Sequence, residues 1–352
     1  MRILIIKTSS LGDIIHALPA LEYLRQAAPE ATLDWVVDEA FADLLAGNPL
    51  LDRLLLVAFR RWKKSPLARQ TRNEVATFVS SLRQQRYDLV FDLQGNSKSG
   101  IVCLLARCRR KIGFSRKHLQ EKLNSLCTTE QVTFTAQDRN AVQRYLRVVG
   151  SAFDLATDGW QPKSDIATSP ADEAVATAAL EQTGSPRILF HTGTTWQTKL
   201  WYDEGWLQLG QALLERYPEA SIVLSWGNAE EQKRAEQLVV ALGPQARLLP
   251  QLTLKQFAAV LKQCNLVIGG DTGPIHLAAA VGTPTVSFYR CTDGSRNGPY
   301  GARHAIVQSP LSCTICMRKE CPEDQECRRS ITPAALVKPA LRLLAAEGDN
   351  RL

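Results

Sequence analysis

The sequence predicts an α/β protein made of two Rossmann-like, doubly wound parallel-sheet domains facing across a cleft. Three observations carry that expectation. Near-continuous Val/Ile/Leu runs alternate with longer amphipathic stretches, the pattern of parallel strands covered by helices on both faces. The alternation restarts midway, where the tripeptide Arg-Ile-Leu of residues 2–4 recurs at 187–189. The chain, at 352 residues, is also long for a single hydrophobic core.

In the first half, residues 2–6, 33–37, 53–57 and 88–93 read as buried strands, with helices at 14–27, 39–46, 70–84 and 97–108. In the second half the strands are 187–192, 221–226, 246–250, 265–271 and 283–289. Helices at 203–217, 229–242, 254–263 and 274–281 separate them. Residues 154–172 are turn-rich without a sustained period and read as the linker. The expected division is an N-terminal domain over 1–160 and a C-terminal domain over 161–330. A closing helix over 331–352 is expected to pack back toward the first domain.

Composition is that of an ordinary globular protein, 45% hydrophobic and 22% charged. No apolar run approaches the roughly 18 residues of a membrane span. The opening MRILIIK is too short for a signal-peptide core, so a cytoplasmic location is expected, with the nine cysteines as thiols or metal ligands. The net charge of +7 is one-sided: residues 1–160 hold 23 Lys+Arg against 16 Asp+Glu, and residues 161–352 hold 19 of each. Much of the excess lies in two clusters, at 60–72 and 107–117. Such a field favours an anionic partner, either nucleic acid, anionic lipid or an acidic sugar, unless the clusters are solvated helix faces. No nucleic-acid motif is present, and neither half has GxGxxG after its first strand. Those absences argue against a nucleic-acid-binding module and against an NAD(P)-dependent oxidoreductase.

Ligands of open α/β sheets bind outside the carboxyl ends of the strands, so the post-strand loops should hold the chemistry. In Gly269-Gly-Asp-Thr-Gly-Pro-Ile-His276, Asp271 or Thr272 can cap a helix whose first turn takes Pro274. The free N–H groups and helix dipole there suit a phosphate, the alternative being a capped helix without a ligand. In His191-Thr-Gly-Thr-Thr-Trp-Gln-Thr-Lys199, Thr194 and Thr195 offer hydroxyls and Lys199 a mobile charge for a diphosphate, or the loop is merely polar. Glu231 follows another strand, where it accepts ribose hydroxyls or steadies the first turn of a helix. In the first half, Asp92–Ser99 presents Lys98, and Arg60-Arg-Trp-Lys-Lys64 follows a strand. The opening loop Lys7-Thr-Ser-Ser-Leu-Gly-Asp13 places a carboxylate at a strand-to-helix turn. Asp13 caps the helix there, or Ser9 or Ser10 caps it and leaves Asp13 for chemistry.

In order, KTSSLGDIIHALPAL, DLQGNSKS, HTGTTWQTKLW, SWGNAEE and DTGPIHLAAA resemble the motifs of the bacterial ADP-heptose:lipopolysaccharide heptosyltransferases, glycosyltransferase family 9, over about residues 1–310. FRRWKK and WVVDEAF look most like the type I enzymes, which add the first heptose to the Kdo region of lipid A. The resemblance implies a GT-B fold with the acceptor on the N-terminal domain and ADP-heptose on the C-terminal one. It implies an in-line displacement that inverts the anomeric carbon without a metal or other cofactor. Asp13 would be the base on the acceptor hydroxyl, and Lys199 would stabilise charge on the leaving ADP. Thr195 and Lys199, with Thr194 beside them, would contact phosphates, and Glu231 the ribose. Asp271 would hold heptose hydroxyls or shape its loop, and Thr272, Gly273 and His276 would form the nucleotide site. Ser10, Arg60, Arg61, Lys64 and Lys98 would meet the acidic acceptor, in keeping with the N-terminal charge excess. Contact with the inner membrane would be peripheral, through basic residues and Trp62. No nucleic-acid partner is implied.

The chain departs from the family pattern in two places. Arg290-Cys291 stands where Gly-Pro is expected, and the tail carries Cys313, Cys316, Cys321 and Cys327 as C-x2-C-x4-C-x5-C. That spacing suits a structural zinc or iron held by thiolates, with disulfides or plain thiols as the alternatives. Heptosyltransferase II and protein-directed relatives carry a similar tail, so the first heptose or a protein stays open as an alternative acceptor.

Overall fold

The computed structural model describes residues 1–155 and 166–349, the side chains of 347–349 excepted. The chain divides into two compact units, Met1–Ala167 and Thr168–Leu352. The boundary expected at 160/161 lies outside the described residues.

In the first unit six parallel strands, β1 (Arg2–Ile6), β2 (Thr32–Asp38), β3 (Arg53–Val57), β4 (Leu89–Asp92), β5 (Arg110–Phe114) and β6 (Glu130–Val132), lie in the order β3-β2-β1-β4-β5-β6. The central strand shows why the pattern reads as it does: Ile3, Leu4, Ile5 and Ile6 are all fully buried, as a parallel strand covered on both faces requires. The second unit repeats the plan. Its strands β7 (Arg187–His191), β8 (Ser221–Ser225), β9 (Ala246–Leu248), β10 (Leu266–Gly270), β11 (Thr285–Tyr289) and β12 (His304–Gln308) run in the order β12-β11-β10-β7-β8-β9. Counted from its own first strand, this is the same 3-2-1-4-5-6 winding as in the first unit. The repeated Arg-Ile-Leu opens the strand at the switch point of each sheet.

The structure adds elements that the sequence pattern concealed. β5 (RKIGF) is masked by its two leading cations, β6 is only three residues long, and β12 (HAIVQ) is half polar. The helix expected over 14–27 is two helices, Leu11–Ala17 and Pro19–Ala27. Pro19 has no N–H to continue the first helix but suits the start of the second. The closing helix is Pro333–Asp349. Its Leu336, Ala340, Leu343 and Leu344, spaced along one helical stripe, are buried in the core of the second unit with Trp201, Trp206 and Phe288.

Candidate active site

In each unit the winding reverses between two adjacent strands, β1/β4 and β7/β10, and a switch point of this kind is where open α/β sheets bind ligands. Ser10, Asp13 and Lys98 follow the strands of the first, Thr194, Thr195, Lys199 and Asp271–His276 those of the second, while Arg60, Arg61 and Lys64 follow β3 and Glu231 follows β8. In the first unit Gln94, after β4, holds the loop after β1. Its Oε1 accepts the N–H of Thr8 and of Ser9, each at 3.0 Å, and the Thr8 hydroxyl at 3.3 Å. Asp92 is fully buried and fixes Gln94 in turn. Its Oδ1 accepts the N–H of Gln94 and Gly95 at 3.0 Å, and its Oδ2 accepts Ser99 Oγ at 3.0 Å and Asn124 Nδ2 at 2.7 Å. Burial pushes the Asp92 carboxyl up, and these four donors oppose that push.

Asp13 is the third residue of the helix Leu11–Ala17, with Ser10 as N-cap. Of the two sequence alternatives, Ser10 rather than Asp13 is the N-cap, although Asp13 also takes part in closing the helix start. Oδ2 closes the helix start, accepting Ser10 N–H at 3.1 Å and Ser10 Oγ at 2.8 Å. Oδ1 faces Lys7 Nζ at 3.9 Å and the Tyr145 hydroxyl at 3.4 Å. Lys7 is buried, with its ammonium over the Tyr145 ring at 4.9 Å. Burial acts to raise the Asp13 carboxyl, but the Lys7 charge and the Ser10 hydrogen bonds outweigh it and hold the group at about 2. The side chain is 45% exposed, so this carboxylate is ionised and still open to a partner. Burial likewise works against the charge of Lys7, and Asp13 and Tyr145 hold its proton above the ordinary lysine value.

In the second unit, Lys199 ends the loop after β7 and Asp271 begins the loop after β10. Lys199 Nζ donates to Asp271 Oδ2 at 2.8 Å and to its carbonyl at 3.3 Å. His276 Nε2 lies 3.4 Å from Asp271 Oδ1. Burial would raise the Asp271 carboxyl, yet His276 and Lys199 together hold it far below the usual range. Thr272 is the N-cap of the helix Gly273–Ala280 and makes no side-chain cap bond, so the hydroxyl is not used to close its own helix. Thr194 and Thr195 stand in the β7 loop, half-buried and exposed respectively. Glu231, in the first turn of the helix Ala229–Leu242, accepts Gly227 N–H at 2.7 Å and lies so close to Gly193 that a Cβ there would overlap its carboxylate. The glycine of the β7 loop thus admits the acid of the β8 loop.

Residues 75–326 match the family model for glycosyltransferase family 9 (heptosyltransferase). The chain belongs to glycosyltransferase family 9. It is 34% identical to lipopolysaccharide heptosyltransferase 1 of Pseudomonas aeruginosa over 328 residues, 91% of this chain and 87% of that one. To the Escherichia coli K12 protein of the same name it is 31% identical over 320 residues, 91% and 97% of the two chains. Among solved structures, E. coli heptosyltransferase WaaC with ADP superposes with a TM-score of 0.79 at 30% identity, over 98% of this chain and 100% of that one. The same protein with ADP-2-deoxy-2-fluoro heptose gives 0.76 over 97% and 99%. The fold class expected from the sequence, two doubly wound domains of the GT-B type, is the one this family 9 chain has.

The basic acceptor candidates of this family 9 chain are not equivalent. Arg60 and Lys64 are exposed on the helix Phe59–Lys64, and Lys98 reaches the same helix, its Nζ over the Phe59 ring at 5.7 Å. Arg61 points away from them into two carboxylates, Glu39 at 2.8 Å and Glu74 at 2.7 Å. Trp62, expected at the membrane, packs near Phe78 and donates its N–H to Glu74 at 2.8 Å. Sequence reasoning gave no role to Lys7, Gln94 or Tyr145. A lysine closing the apolar run Ile3–Ile6 was a usable signal for the first, whereas Tyr145 lies 132 residues beyond Asp13 and carried none.

The two departures from the family pattern are joined. Arg290 is buried, donating to the Leu200 carbonyl, to the Asp324 carbonyl at 3.0 Å and to Asp324 Oδ1 at 2.6 Å. The carbonyls of Arg290 and Cys291 receive Ile315 N–H at 3.3 Å and Met317 N–H at 2.9 Å. Thr198, buried beside Lys199, donates to the Arg318 carbonyl at 2.6 Å. Lys199 and Lys319 lie over the same Trp196 ring, at 4.8 and 5.3 Å. The cysteine-rich segment is thereby clamped to the Lys199 loop. Its four cysteines are free thiols, and among the described residues no three Cys, His, Asp or Glu side chains gather as metal ligands.

Proposed function

We infer that this chain is a heptosyltransferase of type I, moving heptose from ADP-heptose to the Kdo region of the lipopolysaccharide inner core. Relatives named for that activity support the reading. The observation that carries it is the cluster at the β7/β10 switch point, Lys199 and His276 within hydrogen-bonding distance of Asp271, beside the helix start at Thr272 and Gly273. A diphosphate arriving there would draw Lys199 from Asp271 and take up the free N–H and the helix dipole. Glu231, open beside Gly193, would accept the ribose hydroxyls, and Thr194 and Thr195 would donate to phosphate oxygens.

The acceptor hydroxyl attacks the anomeric carbon, the bond from that carbon to the diphosphate oxygen breaks with inversion, and ADP leaves. Asp13 takes the hydroxyl proton. A carboxylate held at about 2 is a weak base, so the proton moves late, after bond formation has made the hydroxyl acidic. Lys199 stabilises the charge growing on the diphosphate, and one such donor is worth on the order of 10² to 10³ in rate. No step needs a metal. Arg60, Lys64 and Lys98 would meet the carboxylates and phosphates of the acceptor.

C-x2-C-x4-C-x5-C spacing is what supports a structural metal in the tail. Protein purified without chelators that carries no stoichiometric zinc or iron would remove the idea. No helix among the described residues is long and apolar enough to cross a membrane, and a peripheral position at the cytoplasmic face of the inner membrane suits a lipid acceptor. Incubation with ADP-heptose and Kdo2-lipid A tests the whole reading by mass spectrometry. The expected product gains one heptose. Gain only on an acceptor already bearing heptose, or on a protein, would replace type I with the alternative acceptor.

A further inference from the structure

We propose that the helix Ser97–Leu105 and the short 3-10 helix Lys122–Cys127 form a docking face for an anionic lipid bilayer. The inference rests on the reading above, because it supplies the surface from which a lipid acceptor would be reached. The first helix has an apolar exposed side: Ser99, Gly100, Val102 and Cys103 are buried, while Ile101 and Leu104 are 57% and 58% exposed. On the second element, Leu123 and Leu126 are 70% and 75% exposed.

The two elements are in direct contact. Cys127 lies against Gly100, where a Cβ would come within 2.8 Å of its sulfur. Cys103 donates its S–H to the Cys127 carbonyl at 3.2 Å, and Asn124 donates to the Asn96 carbonyl at 2.8 Å. Single exposed leucines are ordinary on a protein surface, but four aliphatic side chains on one pair of touching elements form a patch.

Charge selects the occupant. Lys98 and Lys122 belong to the same two elements, and Arg107 and Arg109 follow the end of the first helix, all exposed. Glu121, which precedes the second element, is engaged by the N–H and hydroxyl of Ser97. Aliphatic side chains ringed by lysine and arginine match an acyl boundary beneath negative headgroups. Lys98 and Ile101 stand three residues apart on one helix side, so an acceptor-binding residue and the patch share a face.

Flotation of the full chain with vesicles of phosphatidylethanolamine and phosphatidylglycerol, against phosphatidylcholine alone, tests the proposal. The wild type should bind the anionic vesicles and release them as salt rises. The variant Ile101→Ser/Leu104→Ser/Leu123→Ser/Leu126→Ser should bind them at least tenfold more weakly, with unchanged thermal unfolding and unchanged transfer to a delipidated, water-soluble Kdo acceptor. Lys122→Gln/Arg109→Gln should weaken anionic binding and flatten its salt dependence. Equal binding by the quadruple variant overturns the proposal, as does a wild type that floats with neither vesicle. A wild-type dimer in solution that becomes a monomer in the quadruple variant would assign the patch to self-association and overturn it too. Vesicle binding through the patch without heptose transfer to the soluble acceptor would leave the docking face standing and refute the enzymatic reading.

Discussion

Asp13 and Lys199 each have an opposite charge as their partner in the ligand-free chain, and that pairing decides what their substitution should do. Asp13→Ala should abolish transfer while leaving the affinity for ADP-heptose within about twofold, measured by calorimetry; near-normal turnover would remove it as the base. Lys7→Gln tests the same carboxylate by pH. The Asp13 pKa lies below its ordinary value because of Lys7, so wild-type kcat/KM should show no acid limb from this group until pH nears about 2. Without Lys7 the burial penalty gains weight, and the limb should move up toward or past the ordinary value near 3.9. Lys199→Ala should weaken ADP binding and slow transfer by about 10². It also leaves the buried Asp271 with one cation fewer, at a cost of about 1–3 kcal/mol. The stability that Asp271 contributes is present above about pH 4 and is lost as pH falls toward its depressed folded value. Chemical denaturation of the wild type and of Lys199→Ala should therefore show a gap at pH 7 that persists at pH 3, where the folded wild type still holds Asp271 ionised, and that narrows only in stronger acid.

Loops placed side by side by the winding depend on one another's side chains. Gly193 is required by the β8 loop, not by its own backbone, since Glu231 occupies the space of its side chain. Gly193→Ala should push that carboxylate aside and raise KM for ADP-heptose several-fold with kcat nearly kept, a split that steady-state kinetics would show directly. Arg290 joins the strand β11 to the Lys199 loop and to the helix Asp324–Arg329. Arg290→Ala should cost about 3–5 kcal/mol, as loss of one partner from a buried ion pair does, and should loosen the cysteine-rich segment to limited proteolysis. An unchanged Tm would show that Asp324 finds other partners. Such couplings were not legible in the sequence, where Arg290-Cys291 and the four cysteines stood as two unrelated departures.

At the scale of the molecule, each unit has its own core, and the second is completed from the end of the chain. Removing residues 333–352 would delete Leu336, Ala340, Leu343 and Leu344 and uncover the core they share with Trp201, Trp206 and Phe288, a loss of up to about 1.5–3 kcal/mol for each leucine and less for the alanine. That loss is comparable to the whole stability of a typical domain. The truncated chain should be insoluble or should lose the unfolding transition of the second unit while that of the first unit persists; calorimetry of the two forms checks this.

Strand runs, their alternation with helices, the restart at Arg187 and the post-strand position of every polar motif are local properties, and the sequence alone determined them. So was the family, because Asp13, Lys199, Glu231 and Asp271–His276 lie in contiguous motifs. Pairing across distance was decided only by the tertiary structure. Lys7 lowers the pKa of Asp13, Tyr145 reaches both from 132 positions beyond Asp13, Arg61 is taken up by Glu39 and Glu74, and the closing helix belongs to the second core. The reason is physical: a motif records which groups a loop carries, whereas a charge is set by whatever the winding of the sheet brings within a few ångströms of it.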